Sequence, residues 1–173
     1  MSQVSNFRKN FGLIIALTVV GFFVYAFNLN NPLFWDDADW IINNKFVHSF
    51  SGDNIGRWFT ENILGGIGLS SNYYRPFLLF TFALNYIVGG ENPLGYHLVS
   101  NLIHIANAVL IFAILFFVFK SQFIAFWTSL IWLVHPLQTE AVTYVSGRGD
   151  PLNVFFMLLA LWLISLSGAK PLQ

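Results

Sequence analysis

The chain of 173 residues contains no cysteine. That excludes a disulfide framework and a thiolate metal site, and it removes the usual clue to redox compartment. Charge is scarce too: eight Lys or Arg and eight Asp or Glu make up 9% of the residues, against about 25% in an ordinary soluble domain. A soluble domain this poor in charge would expose large apolar patches. Net charge is zero, so no basic surface points to nucleic acid as a partner. No H-E-x-x-H, P-loop or serine elbow is present. There is no internal repeat, and without an inverted repeat or paired broken spans a secondary transporter has no support.

What the sequence has in plenty is apolar surface: 56% of residues are apolar and 18% aromatic, with 20 Phe. This is the composition of an integral membrane protein, and the lipid bilayer is its first partner. Apolar runs place spans at about 11–27, 95–119, 123–137 and 151–166, with Asp150 as N-cap and Pro151 in the first turn of the last. A signal peptide is the alternative reading of the first run, but the stretch is longer than a usual h-region and more spans follow. Residues 28–94 form a first outer loop with a short helix near 54–62, and 135–150 form a second. The apolar segment 76–88 has 13 residues, and a crossing needs about 20. It is therefore expected as an interfacial helix.

Orientation follows from charge. With four spans, Arg8, Lys9, Lys120 and Lys170 share the inner side with no acid, while all eight acids fall outside. Lys and Arg near span ends favour the cytoplasm. Both termini are thus expected to be cytoplasmic, in a bacterial inner membrane, with the polar residues on the outer face. The expected fold class is all-α: a polytopic helical membrane protein of about four transmembrane helices plus an outer loop with juxtamembrane helices.

Several polar constellations collect on that face. The stretch FWDDADW (34–40) sets Asp36, Asp37 and Asp39 between Trp35 and Trp40. The tryptophans suit an interfacial belt, and a carboxylate here suits a general base. Asp37 and Asp39 are formally a D-x-D pair, with oxygen ligands of the kind Mg²⁺ or Mn²⁺ prefers. His97, Asn101 and His104 recur at i, i+4 and i+7, so they share a helical face. That face either bonds to neighbouring helices or lines a ligand cavity. Arg75 in NYYRP and Arg148 in SGRGD lie near membrane segments; they either snorkel or grip a phosphate. His135, Glu140 and Asp150 complete the second outer loop.

FWDDADW, YRP at 74–76, YHLVSNLIHIANA at 96–108 and HPLQTEAVTYVSGRGDPL at 135–152 occur together, in order. In this the chain resembles the transmembrane, TPR-containing O-mannosyltransferase group of the GT-C glycosyltransferases and its bacterial relatives. The resemblance covers about residues 28–166. It implies that residues 1–173 are the N-terminal part of a GT-C module, to which further spans or a partner chain would add the rest. It also implies transfer of a mannose-like hexose from a polyprenyl-phosphate sugar donor to an acceptor hydroxyl on a protein or glycan. Asp36 or Asp37 would be the base, undecided between them. Arg75 and Arg148 would hold the donor phosphate, and His97 and His104 the first isoprenes. Trp35, His135, Glu140 and Asp150 would support the site. No cofactor is required, because the donor carries no nucleotide diphosphate, and a divalent metal stays open. A reading of another class is a truncated, non-catalytic membrane subunit or carrier-binding protein whose acids form a cation or partner site.

Overall fold

A computed structural model describes residues 2–167, with side chains from residue 10 onward. Lys170 and the side chains of Arg8 and Lys9, three of the cations behind the expected orientation, lie outside the described residues. Every regular element among the described residues is helical: α1 (Ser2–Tyr25), α2 (Gly52–Thr60), α3 (Pro76–Gly89), α4 (Pro93–Phe119), α5 (Gln122–Val134), α6 (Gln138–Thr143) and α7 (Gly149–Ser167). Short turns join them, among them a π-helical turn at Ala38–Ile42 and a 3-10 turn at Val145–Arg148.

Local chemistry sets the boundaries. The Ser51 hydroxyl accepts from Asn54 N–H and starts α2. Pro76 opens α3, and Gly90, at φ +58°, ends it in a backbone region open to glycine. Asn92 caps α4 through Leu94 N–H, with Pro93 at the first position. Asp150 is not the N-cap expected for the last helix. The turn at Val145–Arg148 runs straight into Gly149, so Asp150 lies inside the first turn, where its negative charge still suits the helix dipole.

Three helical stretches are long and apolar enough to cross a membrane: Asn10–Asn30, Pro93–Phe119 and Val145–Ser167. α3 and α5 are apolar but shorter, at 14 and 13 residues. The chain is an all-α, polytopic membrane protein. α4 is its hub, with α1, α5 and α7 packed around it. One apolar core lies among these helices, around Leu17, Ile105, Ala108, Phe112 and Leu133. A second fills the lobe built by residues 28–94, where Trp40, Phe46, Trp58 and Phe82 pack against Tyr96 and Val145.

The polar face of α4 is turned to backbone carbonyls of its neighbours. His97 Nε2 donates to Asn31 O at 3.0 Å. Asn101 Nδ2 donates to Tyr25 O at 3.2 Å and exchanges paired amide bonds with Asn28. His104 Nε2 donates to Leu133 O at 3.0 Å, an oxygen that also accepts from the Tyr25 hydroxyl at 3.1 Å. Asn107 Nδ2 donates to Pro151 O at 2.8 Å. The carbonyls at the end of an α-helix have no partner within it, and hydrocarbon offers no water to replace one. His97, Asn101 and His104 supply the missing donors at the ends of α1 and α5, while Asn107 ties α4 to the first turn of α7. His97 and His104 are both fully buried; the isoprene contacts expected of them are corrected to helix-end capping.

Arg148 needs the same correction. It is fully buried and faces no phosphate site. Its Nε donates to Ser100 Oγ, Nη1 to Asn85 Oδ1 and Thr81 Oγ1, and Nη2 to Tyr96 O, at 2.7–3.2 Å. The guanidinium also lies over the Phe82 ring, 4.9 Å from its centre. Arg148 thus bolts the turn before α7 to α3 and α4.

Two outcomes test this architecture. Arg148→Lys strands several buried acceptors, which costs about 2–4 kcal/mol and is read as a lower unfolding midpoint in detergent. For orientation, Leu137 is 82% exposed at the α5–α6 turn and Ser121 precedes α5 at its other end. Leu137→Cys is expected to react with an impermeant thiol reagent in intact cells, and Ser121→Cys only after permeabilisation. The reverse pattern overturns the orientation.

Candidate active site

Asp36 and Asp37 are neighbours with opposite environments. Asp37 is fully buried. Its Oδ1 accepts from Ser146 N–H at 2.8 Å and from the Ser146 hydroxyl at 2.5 Å, and its Oδ2 accepts from Phe34 N–H at 3.0 Å. A carboxylate bonded three times within the protein acts as a clamp between the 28–94 lobe and the 135–150 segment. Asp36 stays exposed. The residue before it, Trp35, sits at φ +52° and is 80% exposed. A bulky side chain with positive φ is strained unless its surroundings fix it. Here that backbone turns Asp37 inward and leaves Trp35 and Asp36 outside.

Asp39 goes a third way: it is exposed, and its Oδ1 accepts from Asn43 Nδ2 at 3.4 Å. Asp37 and Asp39 therefore do not form the D-x-D metal pair that the sequence allowed, because both Asp37 oxygens are turned to Ser146 and Phe34. Among the described residues no group of three His, Asp or Glu is arranged to hold a metal ion.

Beside Asp36 stands Tyr144, whose hydroxyl accepts the Asp36 N–H at 3.3 Å. Its ring packs on Phe34 at 5.2 Å and against Trp35 at 6.3 Å between centres. Partial burial, and then hydrogen bonding to the Asp36 side chain, push its pKa above the ordinary tyrosine value. Tyr144 also lines an open cleft of about 370 Å³ together with Trp40, Arg75, Glu140, Ser146 and Asp150.

Arg75 is the counterpart of Arg148. It is half-buried, and its guanidinium lies 5.0 Å from the centre of the Tyr73 ring and 5.6 Å from that of Trp40. Among the described residues it has no hydrogen-bond or ion-pair partner. Gly149 makes room for it, since a Cβ there would fall 2.9 Å from Nη1. Arg75 also lines a smaller groove of about 200 Å³ with Tyr74, Phe77, Leu152 and Phe156. An unfilled guanidinium thus sits where a polar cleft meets an aromatic-lined groove beside α7.

Of the residues expected in the site, Arg75, Glu140 and Asp150 line one cleft, while Asp36 and Trp35 adjoin it through their contacts with Tyr144. His135 does not join them: it is exposed and its Nδ1 accepts from Leu137 N–H at 3.2 Å, which shapes the turn after α5. Tyr144 and Ser146 belong to the polar second loop, but the sequence assigns neither a role of its own. Both lie in the 135–152 block, but nothing local distinguishes them from other small polar or aromatic loop residues.

No family model matches the chain, and no solved structure matches it. Known proteins do. A protein O-mannosyl-transferase of Caenorhabditis elegans is 34% identical over 159 residues, which is 88% of this chain and 22% of that protein. The human protein O-mannosyl-transferase TMTC1 is 34% identical over 145 residues, 79% of this chain and 16% of that protein. The mouse protein O-mannosyl-transferase TMTC4 is 34% identical over 168 residues, 84% of this chain and 22% of that protein. The chain is thus similar to protein O-mannosyl-transferases over a stretch about a fifth as long as they are.

Proposed function

We propose that this chain carries the acceptor-activating and phosphate-binding part of a membrane mannosyltransferase. Its donor would be a polyprenyl-phosphate sugar and its acceptor a protein Ser or Thr hydroxyl. The observation that carries the reading is an exposed carboxylate, Asp36, bonded through its backbone to Tyr144, which itself lines the cleft that holds the unfilled cation Arg75. The names of the relatives supply the sugar and the acceptor class. The donor class is supported by the two-sided setting of Arg75. An amphiphile would leave its chain against Phe77 and Phe156, its phosphate at the guanidinium, and its sugar in the polar cleft.

The chemistry follows from those positions. Asp36 takes the proton of the acceptor hydroxyl. The hydroxyl oxygen forms a bond to the anomeric carbon as the bond from that carbon to the phosphate oxygen breaks. The electron pair leaves with the phosphate, and Arg75, a planar fork of donors, pairs with the charge that develops there. Displacement in one step inverts the anomeric carbon. Asp37 takes no proton in this scheme; it holds the loop that presents Asp36. The site faces outward, supported by the gathering of acids on that side; in a bacterium this is the periplasmic face of the plasma membrane.

The test is transfer from polyprenyl-phosphate mannose to a Ser/Thr peptide by the full-length protein in proteoliposomes. Asp36→Asn is expected to lower kcat by about 10²–10⁴-fold, as loss of a general base does. Arg75→Ala is expected to raise donor KM and lower kcat together. Wild-type rates in Asp36→Asn would overturn the assignment of the base.

A further inference from the structure

Tyr144 has a geometry that a packing residue does not need. Its hydroxyl oxygen accepts the backbone N–H of Asp36 at 3.3 Å, which leaves its own proton to donate. The Asp36 carboxylate lies within hydrogen-bonding reach of that proton. The ring cannot swing freely, because Phe34 and Trp35 flank it. Asp36 is exposed, and among the described residues Tyr144 is the one side chain that bonds to it. An exposed carboxylate with free rotamers is a poor general base, since its oxygen must be within about 3 Å of the proton it removes.

We propose that Tyr144 is a positioning residue that grips Asp36 at both backbone and side chain and aims its carboxylate into the cleft beside Arg75. The inference rests on the reading of Asp36 as the base. An ionised carboxylate has lone pairs to spare for two partners. One oxygen takes the Tyr144 proton as a fixed hydrogen bond, and the other remains for the acceptor hydroxyl. The raised pKa of the phenol keeps it protonated, and so a donor, across neutral pH. The charged groups around the pair are Asp37 beneath it and Arg75, Glu140 and Asp150 in the cleft.

The experiment uses the full-length protein in proteoliposomes, polyprenyl-phosphate mannose and a Ser/Thr peptide. Tyr144→Phe keeps the ring and removes only the hydroxyl; Tyr144→His restores a ring N–H donor. Tyr144→Phe is expected to lose about tenfold in kcat, a modest part of what misorientation costs, with donor KM unchanged. Tyr144→His is expected to run faster than Tyr144→Phe. Wild-type kcat in Tyr144→Phe, with Asp36→Asn inactive, overturns the positioning role and leaves the base intact. Two equally slow variants also overturn it, since packing alone would then account for the loss. An active Asp36→Asn removes the premise instead.

Discussion

A helix that stops inside a membrane leaves carbonyl oxygens that water cannot reach. The fold is organised around that constraint. α4 carries donors at 97, 101 and 104 that reach the carbonyls of Asn31, Tyr25 and Leu133 where the α1 and α5 stretches end, and a fourth, Asn107, that reaches Pro151 O in the first turn of α7. Leu133 O is held twice, by His104 from one side and Tyr25 from the other. α1, α5 and α7 are therefore registered against a single template. Because the turns before α6 and α7 start from those registered ends, the second outer loop has a fixed place from which to meet the first.

The two loops then lock through one buried carboxylate and one buried guanidinium. Asp37 binds Ser146, two positions before Arg148, while Arg148 binds Thr81 and Asn85 of α3 and Ser100 and the Tyr96 carbonyl of α4. The short segment 144–150 is thereby held at both ends. It presents Tyr144 to Asp36 on one side and leaves space at Gly149 for Arg75 on the other. The groups with buried charge do structural work, and the scaffold leaves Asp36 exposed and Arg75 half-buried without a partner among the described residues. Burying a charge is tolerable only with full hydrogen bonding, and both buried groups have it.

Much of this was legible in sequence. The long helices, the short interfacial one and the clustering of polar residues at one end follow from length, period and composition. So did the common face of His97, Asn101 and His104, though whether it served helices or a ligand did not. The partners of those side chains are backbone carbonyls tens of residues away, and a carbonyl has no sequence signal. Arg75 and Arg148 look alike as well, each beside Gly or Pro in turn chemistry. What separates them is Ser100, Thr81 and Asn85, small polar residues with no pattern of their own. Asp36 and Asp37 were divided by a single left-handed residue, Trp35, which propensity would not place there.

The brevity of α5 has a consequence for the bilayer itself. Gln122 at its start bonds to Asn10 near the start of the α1 span, at 2.7 Å, so the two helices begin at the same level. From there 13 residues rise about 20 Å, whereas the hydrocarbon is about 30 Å thick. A helix of that length is roughly 10 Å shorter than the hydrocarbon is thick, and lipid beside so short an apolar helix thins to match it. Thinning of that kind brings headgroups closer to the bilayer midplane beside α5 than beside the longer α4.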